Sequence, residues 1–199
     1  ARIQKQLPDE VREKQKYGLW SCGISMEQPI GHILSLDKNR LEHGLKWYKE
    51  EAQKLIETSD QTDPKYIDKI QFWKAIIIIC DAVHTFALRY ANEAEKMAAT
   101  CKDEKRKAEL EKISETLKKV PWEAPSNFYE AVQSAWFMQL IYYYESNAVA
   151  ESPGRVDQKF YSYFKKDLDN GTISLEEAED IVACYWLKLA ETNKVYTQG

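Results

Sequence analysis

The sequence predicts a mainly α fold of about six helices with few short strands. Three observations predict it. Glycine and proline number only 7 and 6 in 199 residues, about half of average usage, whereas a sandwich or propeller needs a turn every ~8–12 residues. Apolar residues recur at steps of three and four over long stretches, the spacing of one helix face. Residues suited to capping stand at the starts of several of those stretches. The length, with 44% apolar residues, suits one globular unit with a sizeable core.

Residues 1–17 are charged and suit an exposed helix. Residues 18–36 break the pattern at Gly18, Gly23, Pro29 and Gly31, so this stretch reads as a loop with a short strand. Asp37 is an N-cap for a helix to Glu57, with Leu41, Leu45, Tyr48, Ala52 and Leu55 inward. A long helix follows from Pro64 to Cys101. Its inward stripe is Phe72, Ile76, Ile79, Val83, Phe86 and Tyr90, and the run Ala75–Cys80 reads as buried all round. The next helix, Glu104–Val120, stops before Pro121. Asn127 and Glu130 form a capping box opening the helix of Phe128, Val132, Trp136 and Leu140. Glu145–Arg155 is the second irregular stretch. Helical spacing resumes at Val156 and ends at Asp169-Asn170-Gly171, a turn signal. Ser174 and Glu177 form a second capping box, with Ile181, Tyr185 and Leu189 inward.

Charge narrows the partners. The net charge is −4, lysines and glutamates are interspersed, and no basic stripe releases phosphate counterions, so nucleic acid is not an expected partner. Ala75–Cys80 is far shorter than the ~18 apolar residues of a membrane span, and no membrane association is expected. Cys22, Cys80, Cys101 and Cys184 form no CxxC. They read as reduced cysteines of a cytoplasmic protein, with Cys80 and Cys184 in its core, and no metal site is expected.

Few residues offer chemistry. His84 lies in a helical pattern (AVHTFAL) and reads as structural. His32 stands instead in the glycine-marked loop GHILSLD, where backbone shape is specified rather than packing. In ESNAVAESPGRVDQ, a helix ending in three tyrosines delivers a segment of small residues. Glu151 is the one charge between Asn147 and Ser152, and Arg155 and Asp157 are placed to tie the segment down. Read bare, this is a buried loop with a structural Arg–Asp pair or a wall that a ligand approaches. No triad, phosphate loop or metalloprotease motif is present.

Seven blocks in series resemble the glycyl radical enzymes, the superfamily of pyruvate formate-lyase, in its lyase and dehydratase branch. They are Gly31-His32 with the helix of Leu41, Gly44 and Leu45; Cys80-Asp81-Ala82 with Arg89-Tyr90-Ala91; Lys105 to Leu110; Phe128 to Gln133 with Trp136-Phe137; Glu145-Ser146-Asn147; Gly154 to Gln158; and Trp186-Leu187-Lys188 with Asn193-Lys194-Val195. The resemblance runs over residues 18–196 and implies one partial pyruvate formate-lyase-like domain, with no second domain.

The resemblance implies that these helices are the helical portion of a ten-stranded α/β barrel. It also implies a glycyl radical, installed by an activase that uses S-adenosylmethionine and an iron–sulfur cluster, and a cysteine thiyl that takes hydrogen from the substrate. A glutamate two residues beyond that cysteine is the base in many members. Here the four cysteines are followed two residues on by Ile24, Ala82, Asp103 and Trp186, and the C-terminal radical-glycine motif is absent from the sequence. The chain therefore reads as a fragment from the N-terminal half, with no catalytic residue and no cofactor of its own. The implied substrate-facing residues are His32, Asn147, Val149 and Ala150. Polyol-type members carry a histidine and a serine where this chain has Val149 and Ala150, so a less polar or differently oriented substrate is expected. The implied partners are a small-molecule substrate, the radical-activating enzyme and, at full length, a second copy in a homodimer. The alternatives are a stand-alone helical binding or scaffolding module derived from the same fold, and an unrelated helical regulator.

Overall fold

The computed structural model describes residues 8–16, 38–146 and 151–191. Seven helices run through them: α1 (Asp9–Lys16), α2 (Lys38–Thr58), α3 (Tyr66–Thr100), α4 (Glu104–Lys119), α5 (Phe128–Ser146), α6 (Val156–Asp169) and α7 (Leu175–Glu191). Among the described residues there is no strand beyond an isolated bridge at Ser152. The mainly α prediction holds, and the charged N-terminal stretch contributes a short helix. The 18–36 loop and the Asp37 cap lie outside the described residues.

The helix boundaries follow capping chemistry. Asp103 accepts the Arg106 N–H at 2.9 Å and opens α4. At α5, Asn127 Oδ1 accepts the Glu130 N–H at 2.8 Å, but the Glu130 carboxylate reaches the Ser126 N–H rather than that of Asn127. The Asn127 half of the predicted box thus forms, and only its return bond is shifted by one residue. Asp167 of α6 adds a cap from another element, accepting the Phe128 N–H at 2.7 Å from a buried position. The Ser174–Glu177 box at α7 is reciprocal, with bonds of 2.8 and 3.1 Å.

Two cores share α2 and α5. In the first, α2 and α4 pack on α3, where Cys80, Val83, Ala87 and Ala91 meet Leu45, Leu117, Phe137 and Met138. In the second, α6 and α7 pack on α5, where Phe160, Ala178 and Tyr185 meet Leu41, Phe128, Ala131, Val132 and Ala135. α5 contributes Ala131 and Ala135, in its first half, to one core and Phe137 and Met138, further along, to the other. The Tyr163 hydroxyl donates to the Leu41 carbonyl at 2.8 Å, tying α6 to α2.

The predicted inward stripe of α3 is corrected by the structure. Phe72, Ile78 and Ile79 are 59%, 67% and 58% exposed, and Ala75–Cys80 is not buried all round. Of the predicted stripe, Val83 is buried and Ile76 and Phe86 pack against the core, while Tyr90 is exposed with Phe72 and Ile79; the fully buried face is Cys80, Val83, Ala87, Ala91, Ala94 and Ala98. The buried face is turned by less than a quarter turn from the predicted one and shares Val83 with it; its small residues let neighbouring backbones approach closely. Cys184 is likewise exposed, not a core residue, whereas Cys80 is buried. By length and composition α3 could cross a membrane, with mean hydropathy 1.4 in its most apolar window, a property the short Ala75–Cys80 run does not reveal. A core helix passes the same test, and one face of α3 is packed on α2 and α4.

Gly44 fixes the junction between the cores. Its φ of +74° kinks α2, and the freed N–H groups of Leu45 and Lys46 donate to the Pro121 and Trp122 carbonyls at 2.9 and 2.8 Å. A Cβ at Gly44 would stand 2.5 Å from the Trp122 oxygen and the Glu123 carbonyl carbon. Only glycine combines that φ with so close a backbone approach.

Candidate functional site

The irregular stretch after α5 is delivered from a buried helix. α5 carries the polar residues Ser134 and Gln139 into the interior, each about 1% exposed. The Arg40 guanidinium, buried beside them, donates to the Ser134 carbonyl at 3.2 Å. Gln139 Nε2 donates to the Glu151 carbonyl at 3.2 Å across twelve residues of chain. That bond pins the far end of the segment to the body of α5.

Glu151 itself is 6% exposed, and neither of its carboxylate oxygens has a hydrogen-bond partner. Burial pushes its carboxyl above the ordinary glutamate range. The Arg155 guanidinium, four residues on, makes a bidentate pair with Asp157 at 2.9 and 2.6 Å. That pair lies on the surface, not in a buried loop, and holds the Asp157 carboxyl down at about 2.

Of the predicted site residues, His32, Asn147, Val149 and Ala150 all lie outside the described residues. The structure describes the anchor of their segment and not the residues themselves. Glu151 was visible in the sequence only as the single charge in a run of small residues. Its burial without a partner is what marks it.

Two further features are built from aromatic side chains. A groove of about 610 Å³ runs between α5, α6 and α7, with Phe128, Phe160, Phe164, Leu175 and Trp186 among its walls. His84 stacks on Trp122 with ring centres 4.2 Å apart and planes 7° from parallel. Lys49 lies over the same indole and pairs with Asp81 at 2.7 Å. Burial pulls the His84 imidazole below its usual value. The cluster clamps the 120–124 turn onto α2 and α3, in keeping with a structural His84. Among the described residues no group of histidine, cysteine or carboxylate side chains could hold a metal ion.

Comparison with known proteins places these features in a family. The pyruvate formate lyase-like family matches residues 1–199. An isethionate sulfite-lyase of Oleidesulfovibrio alaskensis is 39% identical over 158 residues, which are 78% of this chain and 19% of the relative. A solved Roseburia inulinivorans protein, described for 1,2-propanediol dehydration, superposes with a TM-score of 0.87 at 35% identity. It accounts for 98% of this chain, which in turn covers 23% of it. The glycerol-bound B12-independent glycerol dehydratase of Clostridium butyricum gives a TM-score of 0.85 at 33% identity, over 98% of this chain and 24% of that one. The chain thus spans about a fifth of the length of the relatives it matches.

Proposed function

The chain belongs to the pyruvate formate lyase-like family of glycyl radical enzymes, and on that premise we propose that it is the helical portion, from the N-terminal half, of a glycyl radical lyase or dehydratase. The whole enzyme cleaves a C–C, C–O, C–N or C–S bond of a small organic substrate after a thiyl radical takes hydrogen from it. The observation that carries this reading is the superposition on nearly the whole of this chain by proteins several times longer.

No cysteine here is followed two residues on by glutamate, so the thiyl cysteine, its base and the radical glycine are assigned to the rest of the enzyme. The glycyl radical, installed by an S-adenosylmethionine-dependent iron–sulfur activase, supplies the oxidising equivalent. This chain's own part is to bind and to exclude water. His32, Asn147, Val149 and Ala150 line the substrate, with the segment held by Gln139. A wall of Ala148, Val149 and Ala150 offers no side-chain hydrogen bond, which favours a substrate less hydroxylated than glycerol or one held in another orientation. The exposed apolar residues of α3 and α7 support this reading over a stand-alone binding module, because they pack on the barrel in a longer protein. At full length the enzyme works in the cytoplasm as a homodimer.

The test is the full-length protein, incubated anaerobically with its activase and S-adenosylmethionine. A glycyl doublet in the electron paramagnetic resonance spectrum, with turnover of a small substrate, is the expected result. His32→Ala then lowers kcat/KM about tenfold, the worth of one substrate hydrogen bond. A reading frame without a Gly-Cys-x-Glu loop, or an activated protein without the doublet, would refute the enzyme reading and leave the scaffold module.

A further inference from the structure

The long helix α3 is covered on one side only. α2 and α4 pack on the face of Cys80, Val83, Ala87 and Ala91. On the opposite face a strip runs through Asp68, Gln71, Ala75, Ile78, Ala82 and Arg89, at steps of three, four and seven that keep one line along a helix. All six residues are exposed, and Ile79 is exposed beside them. An exposed aliphatic patch framed by charges marks an interaction surface. Phe72, Tyr90 and Met97 lie off the strip, turned towards Val83, and are left to the barrel.

The charges of the strip stand only at its two ends, negative at Asp68 and positive at Arg89. Among the described residues neither side chain makes an ion pair or a hydrogen bond. The two stand equally far from the step between Ile78 and Ile79, on the order of 16 Å along the axis to either side. Turned end for end, the strip therefore presents the opposite charge at each height. It is complementary to itself antiparallel, whereas a parallel copy sets like charges side by side.

Resting on the proposed reading of the whole enzyme as a homodimer, we infer that α3 pairs antiparallel with α3 of a second copy, about a two-fold axis level with the Ile78–Ile79 step. Asp68 then faces the partner's Arg89, and the symmetry makes that contact twice. Ala75 comes opposite the partner's Ala82, so the two backbones approach closely. Ile78 meets the partner's Ile78. The isoleucines supply the apolar contact, while the exposed ion pairs add little affinity and fix direction and register instead.

Sedimentation velocity of the full-length protein tests the pairing. Asp68→Arg and Arg89→Asp each place two like-charge contacts in the dimer and raise its dissociation constant at least about tenfold. The double variant reverses every pair and returns the constant to within about threefold of the unmodified value. Both side chains are exposed here, so neither reversal disturbs a packed interior. Ile78→Cys, treated with a short bis-maleimide, is joined to its counterpart in higher yield than the unmodified protein gives. A full-length protein that sediments as a monomer overturns the homodimer and the pairing together. A dimer unchanged by both single reversals leaves the homodimer standing and overturns the pairing, because the strip is then covered by the enzyme's own barrel. A double variant as weak as the singles overturns it too, because the two charges do not face each other.

Discussion

The two cores solve the same packing problem with opposite materials. On α3 the inward face is Val83, Ala87, Ala91, Ala94 and Ala98, small side chains that let the partner helices come close. Between α5, α6 and α7 the interior is aromatic. Phe128 meets Phe160 and Phe164 edge-on at 6.3 and 5.6 Å, and Phe160 meets Tyr185 at 5.9 Å. There a groove of about 610 Å³ stays open with Trp186 on its wall. Small side chains close the interior between α2, α3 and α4, whereas large ones leave an open apolar groove beside α7. The difference separates what the chain packs by itself from what it presents.

Breaking the tight region has the largest effect. Gly44→Ala demands a Cβ 2.5 Å from backbone atoms at a φ of +74°, and costs more than about 3 kcal/mol in urea unfolding, the upper end for a strained backbone. One substitution placed in both regions sharpens the contrast. Ala91→Leu on α3 overpacks a fully buried site and costs ~1–3 kcal/mol. Ala183→Leu on the groove wall changes the stability of the 199-residue chain by less than about 0.5 kcal/mol, but destabilises the full-length protein.

A pH titration separates the clamp from its surroundings. The His84 imidazole sits below its usual value because burial against Trp122 disfavours its charged form. The unfolded chain then binds the proton more readily, so stability is full above about pH 6.5 and declines as pH falls below it. The urea midpoint between pH 7 and pH 5 falls more steeply for the unmodified chain than for His84→Gln. The smallest effect is Asp157→Asn. Its pair with Arg155 is exposed on both sides and screened by solvent, so the melting temperature stays within experimental scatter.

Sequence periodicity and capping made the helices legible. The Ser174–Glu177 box forms as written, and α4 stops before Pro121. On α3 periodicity placed Ile76, Val83 and Phe86 against the core but not Phe72, Ile79 and Tyr90, because the apolar surface there is wider than the face that α2 and α4 cover. The kink at Gly44 was hidden because a glycine among helix formers carries no signal of the turn that lies against it. The site was less legible. His32, Asn147, Val149 and Ala150 come from the resemblance and lie outside the described residues. Glu151 stood out in the sequence only as a lone charge, since burial without a partner is a property of the folded chain.

The central claim is that the exposed apolar faces of both regions are interior surfaces of a larger enzyme. Hydroxyl-radical footprinting of Phe72 on α3 and Trp186 on α7, which are 59% and 50% exposed here, tests it most directly. Both residues react readily in the 199-residue chain, and the account predicts strong protection of both in the full-length protein. Equal reactivity in the two proteins would contradict it.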